Sequence, residues 1–382
     1  MTTKIAVLVG TRPEVIKMAP VIMELRQRPE FECVVVSTGQ HDSMSKQAFD
    51  MFGLQPDRDL ALMQPGQDLP SLTSRMIEAV TEALKDTVPD VTLVQGDTTT
   101  VLAASIAAFY QRIPIGHVEA GLRTYDNLSP WPEEMNRRLA DVICRWCFAP
   151  TKWAKRNLLQ EGIPSTNIFV TGNTVIDALF WMRNRMKLAK PDLPCSIEEF
   201  MDGHRVILVT AHRRESFGKP LETICRAILQ ITEAFPDVRI VYPVHLNPNV
   251  RKPVEGLLGN HECIRLTEPL GYEAFVWLMD RSYFVLTDSG GVQEEAPALG
   301  KPVLVMRDKT ERPEGVEAGT VRLVGTDMQR IGAECAILLS DPAEYEKRSC
   351  VANPYGDGLA SRRIADILAG GASEWHDDAS ES

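Results

Sequence analysis

The chain has 382 residues, 44% hydrophobic and 24% charged, which suits two cores better than one. Its net charge of -11 excludes general nucleic-acid binding and leaves only local basic sites for an anionic ligand. No apolar run approaches the ~20 residues of a membrane helix, and the opening residues lack the ordered regions of a secretory leader, so a cytoplasmic protein is expected.

In chain order, β-rich runs at 5–9, 34–37, 91–95 and 115–118 alternate with helical patterns at 15–26, 72–84 and 99–110. The periodicity pauses over 186–203, where Lys, Pro, Asp and Cys replace it, and a linker is expected there. Strands then resume at 206–210, 239–242, 264–267, 284–287 and 302–306. Two β-α-β halves predict an α/β protein of two doubly wound Rossmann-like domains facing a cleft. The expected bounds are 1–185 and 204–350, with a helix in 351–372 crossing back to the first domain and a disordered polar tail over 373–382. Cys144 and Cys147 form a C-x-x-C with no second pair and no histidine at zinc spacing, so the eight cysteines read as reduced thiols and no metal is implied.

The first strand ends in Gly10-Thr11-Arg12-Pro13-Glu14, followed by Lys17. This is not G-x-G-x-x-G, so the NAD fingerprint is missing and no cofactor is expected. Two cations at a helix start suit a phosphate, which would also use free backbone N–H groups there. A glycine-proline turn with a solvated arginine explains the motif equally well. Asp97 and Glu119 follow strands, and Glu133 lies in a Pro-Trp-Pro-Glu-Glu loop. Asp97 reads also as a helix N-cap. Converging carboxylates can hold different protonation states and so divide acid and base roles.

In the second half, Ala211-His212-Arg213-Arg214-Glu215 follows a strand, where His212 can neutralise a diphosphate or donate a proton. His245 is a weaker candidate of the same kind. Asp288-Ser289-Gly290-Gly291 follows another strand and opens a helix. Its two glycines permit close approach and the helix start favours an anion. Glu295 lies about a turn further on, suited to ribose hydroxyls, and Arg312 adds a charge after the next strand. Phe275 has the helical spacing of a core residue.

Taken together, Gly-Thr-Arg-Pro-Glu, Gln-Gly-Asp-Thr, His-Val-Glu-Ala-Gly-Leu-Arg, Pro-Glu-Glu (132–134), His-Arg-Arg-Glu-Ser, Asp-Ser-Gly-Gly-Val-Gln-Glu-Glu-Ala and Glu-Arg-Pro-Glu resemble, in order, the bacterial non-hydrolysing UDP-N-acetylglucosamine 2-epimerases over about residues 5–367. The resemblance implies the glycosyltransferase-B architecture and an isomerase that interconverts UDP-N-acetylglucosamine and UDP-N-acetylmannosamine for cell-envelope polysaccharides. It implies elimination of UDP to 2-acetamidoglucal and re-addition, without NAD. Arg12, Lys17, Ser289, Gly290, Gly291 and Arg312 match diphosphate-binding residues, Glu295 the ribose-binding acid, and Phe275 the residue near uracil, against its core reading. Asp97, Glu119 and Glu133 match the acidic catalytic group, and His212 the family's histidine. Among the carboxylates, Asp97 and Glu119 are expected to transfer the proton and Glu133 to support them. The resemblance further implies a homodimer. Some members bind a second UDP-N-acetylglucosamine as activator, and Gln40 and His41 match part of that site, whereas Ser43 and Gly66 depart from it. A hydrolysing epimerase, a glycosyltransferase and a non-catalytic nucleotide-sugar binder are the alternatives.

Overall fold

The computed structural model of the chain describes residues 2–39, 43–64, 66–194, 196–213 and 216–371. Gln40, His41 and the tail after 371 lie outside the described residues. The strands are β1 (Thr3–Val9), β2 (Phe31–Ser37), β3 (Arg58–Asp59), β4 (Val91–Gln95), β5 (Ile115–Val118), β6 (Trp146–Ala149), β7 (Ile168–Val170), β8 (Arg205–Thr210), β9 (Val238–Pro243), β10 (Ile264–Thr267), β11 (Phe284–Thr287), β12 (Val303–Val305) and β13 (Val321–Leu323). Among the described residues they form two sheets, ordered β3-β2-β1-β4-β5-β6-β7 and β10-β9-β8-β11-β12-β13. Neighbouring strands run parallel, as in β1 with β4, β4 with β5 and β8 with β11. The α/β reading therefore agrees with the structure. Every residue of β4 and β5 is buried, because helices cover both faces of a parallel sheet. Strands β3, β6, β7 and β13 were not in the expected set; each has only two to four residues, too few for a clear pattern.

The chain divides into two compact units, each with its own core. One ends at Ala178 and resumes at Tyr355; the other is Leu179–Pro354. The change falls inside the helix Thr174–Met186, ahead of the expected linker at 186–203. No Gly or Pro interrupts that helix, and its last turns belong to the second unit, where Arg183 pairs with Asp280 at 3.1 Å and Arg185 with Glu273 at 3.6 Å. Within the first unit the C-terminal helix Ala360–Leu368 packs on the helix Arg12–Gln27, and Arg28 meets Asp366 at 2.7 Å. Asp177 accepts the N–H groups of Ala360 (3.2 Å) and Ser361 (2.8 Å), satisfying donors that a helix start leaves open.

One glycine after β5 sets the path of the next loop. Gly121 has φ +86°, and a Cβ there would meet the Ala154 carbonyl carbon and Leu158 Cγ at 2.9 Å each. Both the left-handed backbone and the crowding act against any side chain. Gly121→Ala should cost roughly 2 kcal/mol or more, read as a lower urea midpoint; an unchanged midpoint would contradict this account.

Candidate active site

Both sheets reverse strand order beside the strand that comes first in sequence, and ligands of such sheets bind beyond the carboxyl ends at that point. In the first unit the reversal lies between β1 and β4, so the loops after β1, β4 and β5 are neighbours.

The loop after β1 is closed by a residue of the helix that follows it. Glu14 is buried, and its Oε2 accepts from the N–H groups of Gly10 at 2.5 Å and Thr11 at 2.9 Å. Its other oxygen accepts from the Thr98 hydroxyl. Burial raises the Glu14 pKa above the ordinary carboxyl value, with these hydrogen bonds pulling the other way. Two backbone donors just ahead of the helix are thus occupied from within. Gly10 is small for packing reasons, since a Cβ would collide with the hydroxyls of Thr38 and Thr100. Arg12 remains half-buried and makes no ion pair with the described residues.

Lys17 turns instead to Glu119. Its ammonium lies 2.7 and 2.6 Å from the two carboxylate oxygens. Glu119 also accepts from the Asn173 side chain at 3.0 Å and from the Gln95 amide. The residue is 7% exposed and its φ is +68°, the left-handed region that a non-glycine residue enters at a cost of about 1–2 kcal/mol. Such strain is concentrated at functional sites. It lets the chain leave β5 with the carboxylate turned toward Gly96, whose own φ is +83° and where a Cβ would sit 3.8 Å from Glu119 Oε2.

Asp97 is not a helix cap. Thr98 takes that position, its hydroxyl accepting from Val101 at 3.4 Å. The Asp97 carboxylate is about one-third exposed and lies 3.5 Å from Arg137. Its backbone carbonyl accepts from Asn136 at 2.9 Å. Asn136 and Arg137 belong to the helix Glu133–Ile143, so the helix begun by Glu133 is tied to Asp97. Glu133 is half-buried and carries no ion pair among the described residues. Its neighbour Glu134 is fully buried and accepts the N–H groups of Thr124 (3.0 Å) and Tyr125 (3.1 Å), shaping the loop ahead.

Beneath these residues His117, Asp141, Arg123 and Glu161 form a charged chain. His117 meets Asp141 at 2.6 Å and the Gly96 carbonyl at 2.7 Å, and Arg123 joins Asp141 at 2.8 Å to Glu161 at 2.6 Å.

In the second unit the reversal lies between β8 and β11. Asp288, fully buried after β11, accepts the N–H groups of His212 and Arg213 at 2.8 Å each and so fixes the loop after β8. Its other oxygen is 3.2 Å from His212 Nδ1. Burial lowers the His212 pKa below its ordinary value, and Arg213 and His245 add to this against the pull of Asp288. The His212 and His245 rings stack at 5.8 Å. A cavity of about 280 Å³ opens here, lined among others by His212, His245, Phe275, Ser289, Gly291 and Glu295. Phe275 is therefore a wall residue, half-buried, and not core. The Tyr272 hydroxyl donates to Glu295 at 2.7 Å.

Arg312 pairs with buried Glu294 at 2.6 Å and lies 3.4 Å from Glu311. A Cβ on Gly290 would come within 3.2 Å of its guanidinium. Arg213 and Arg307 also reach Glu311, at 3.2 and 2.8 Å. Burial alone would push the Glu311 carboxyl up, but Arg312, Arg307 and Arg213 outweigh it and hold it at about 2. Three guanidinium groups thus gather round one carboxylate.

Sequence reasoning assigned no role to Gln95, Asn173, Glu134, Arg137, Tyr272, Asp288 or Glu311. Several stand inside the motifs it quoted. The available signal was a polar residue at a buried strand end, as in Thr171-Gly172-Asn173-Thr174 after β7.

A family profile described as UDP-N-acetylglucosamine 2-epimerase matches residues 23–369. The UDP-N-acetylglucosamine 2-epimerase of Salmonella typhimurium is 54% identical over 369 residues, covering 96% of this chain and 98% of that protein. Its namesake in Escherichia coli K12 is 53% identical over 368 residues, 96% and 98% of the two chains. The crystal structure of the Neisseria meningitidis enzyme bound to UDP-GlcNAc matches with a TM-score of 0.89 and 49% identity over 97% of this chain and 100% of that one. The Methanocaldococcus jannaschii enzyme in complex with UDP-GlcNAc and UDP matches with a TM-score of 0.77 and 36% identity, over 97% of this chain and 100% of that one. With the two parallel sheets, these likenesses identify the glycosyltransferase-B architecture.

The Lys17–Glu119 pair is buried on the carboxylate side and partly open on the other, with side-chain exposures of 4% and 19%. Glu119→Gln should therefore destabilise the first unit by roughly 2 kcal/mol, less than a fully buried pair broken on one side. Urea denaturation followed by circular dichroism measures this, and a loss near zero would mean that the pair contributes no net stability.

Proposed function

The chain belongs to the UDP-N-acetylglucosamine 2-epimerase family, and on that premise we propose that it interconverts UDP-N-acetylglucosamine and UDP-N-acetylmannosamine by the non-hydrolysing route, without NAD. The proton on carbon 2 is removed as the bond from carbon 1 to the phosphate oxygen breaks. The electron pair of that C–H bond forms the double bond of 2-acetamidoglucal, and the C–O pair leaves with UDP. Return of a proton to the opposite face of carbon 2 and re-addition of UDP give the epimer. Carbon 2 has no adjacent carbonyl to acidify it, so the leaving group must be stabilised as the proton departs.

The observation that carries this reading is the buried, left-handed Glu119 beside Asp97 on the adjoining strand end, in a fold whose other unit offers a nucleotide-sized cavity. Both Glu119 oxygens already accept hydrogen bonds, from Lys17, Gln95 and Asn173. This shifts the assignment of proton transfer toward Asp97, with Glu119 holding charge and position and Glu133 supporting. Phe275 lies against the base, Glu295 takes the ribose hydroxyls, and His212, Ser289, Gly290, Gly291 and Arg312 bind the diphosphate. NAD independence has support from the β1 turn, whose glycine and N–H groups are already used by Thr38, Thr100 and Glu14. The reading extends to a homodimer, to cell-envelope polysaccharide synthesis and to a second UDP-N-acetylglucosamine as activator. Exposed Phe109, Tyr110, Leu139 and Val142, on two helices that pack together, give the first unit an apolar face suited to a second copy. Among the described residues no helix is long and apolar enough to cross a membrane.

Incubation with UDP-N-acetylglucosamine in deuterium oxide, with no NAD or metal added, should yield UDP-N-acetylmannosamine carrying deuterium at carbon 2. Free N-acetylmannosamine from the outset would favour a hydrolysing enzyme, and binding without exchange would favour a transferase or a binding protein. Asp97→Asn should lower kcat by about 10²–10⁴ with KM little changed, the usual range for a lost acid-base group. His212, with its depressed pKa, is neutral at pH 7, and a bound diphosphate favours its charged form. UDP binding should therefore take up protons, seen as a buffer-dependent calorimetric enthalpy; proton release or no dependence would count against His212 at the diphosphate.

A further inference from the structure

The charged chain beneath the carboxylates has no part in the reaction as proposed, yet one of its members meets the backbone next to Asp97. His117 is fully buried in β5. Its Nδ1 lies 2.6 Å from Asp141 Oδ1 and its Nε2 lies 2.7 Å from the carbonyl oxygen of Gly96. A peptide carbonyl only accepts. Asp141 also accepts through its second oxygen, from Arg123 at 2.8 Å and from the Gly121 N–H at 3.2 Å, the pattern of a carboxylate. Two acceptors on two ring nitrogens require two N–H donors, and only the imidazolium has both.

The surrounding charges fit that state. Arg123 spans Asp141 and Glu161, and Arg138 meets Glu161 at 3.2 Å from the helix Glu133–Ile143. From β6, Cys147 approaches the Asp141 carbonyl at 3.8 Å, and burial pushes its thiol well up, so it stays neutral. Burial opposes charge on His117, but Asp141 and the Gly96 carbonyl outweigh it and raise its pKa, while Asp141 is lowered against its own burial by His117 and Arg123.

The Gly96 carbonyl is part of the peptide that joins Gly96 to Asp97. On its other side Gly96 follows Gln95, whose amide donates to Glu119. We infer that His117 is a positioning residue, a permanent imidazolium whose Nε2–H fixes the Gly96–Asp97 peptide plane and thereby aims the Asp97 carboxylate beside Glu119. The inference rests on the reading that Asp97 transfers the proton. A charge-assisted hydrogen bond is roughly twice as strong as a neutral one, which suits a part that must hold one peptide in one orientation.

Two substitutions separate positioning from mere stability. His117→Gln can keep a donor at the Nε2 position for the Gly96 carbonyl, and His117→Asn can keep one only at the Nδ1 position for Asp141. Both lose the positive charge. His117→Asn should lower kcat by about 10²-fold, the scale of a misplaced reacting group, and His117→Gln by no more than about tenfold. KM should stay within threefold in both. Equal kcat losses that track the two variants' urea midpoints would reduce His117 to a structural role and overturn the inference. Independently of folding of the variants, nitrogen-15 NMR of histidine-labelled wild-type protein should show two protonated ring nitrogens on one buried histidine at pH 8. A single N–H on every buried ring would overturn it as well. Full activity of Asp97→Asn would instead sink the catalytic reading while leaving the charge state of His117 standing.

Discussion

The pairing of Lys17 with Glu119 ties together distant segments of the first unit. Lys17 stands on the helix after β1, Glu119 on the turn after β5, and the same carboxylate is held by Gln95 from β4 and Asn173 from beyond β7. Four segments far apart in sequence thus converge on two oxygen atoms. A buried carboxylate without such partners would carry a large desolvation cost. The left-handed backbone at Glu119 is tolerable for the same reason, since the surrounding donors fix where the side chain must be.

The two units handle charge differently. In the first, separate carboxylates each meet one or two cations, with Asp97 more exposed than Arg137 and Glu119 more buried than Lys17. Arg137 stands by Asp97, Lys17 by Glu119, and His117 and Arg123 by Asp141. In the second, arginines gather and carboxylates hold them, with Glu311 among Arg213, Arg307 and Arg312. In a chain of net charge -11, these arginines are held in place by its own acids.

Glu14 shows how an internal group can satisfy backbone donors beside a motif that also reads as an anion site. A glycine turn, two cations and a helix start together read as an anion site. The carboxylate three residues into the helix fills the backbone donors, and Lys17 is drawn to Glu119. The Thr-x-x-Glu spacing of Thr11 and Glu14 is itself the sequence signature of such a capping box, so the local pattern carried the signal for a helix start closed by its own glutamate.

By itself the sequence determined the two parallel-sheet halves, through apolar runs of strand length alternating with helical periods, and it placed Asp97, Glu119, His212 and Ser289 at strand ends. These are local properties, set by period and by the residues that break it. It also carried the ordered motifs of the family. The tertiary structure alone decided that the unit boundary lies within the helix Thr174–Met186, that Asp97 is not a cap, and that Phe275 lines a cavity. It alone brought Asn173 and Gln95 to Glu119, Tyr272 to Glu295, and His117 to the Gly96 carbonyl. Those outcomes depend on which strand ends become neighbours in a sheet, and hydrogen bonds between residues tens of positions apart leave no periodic trace along the chain.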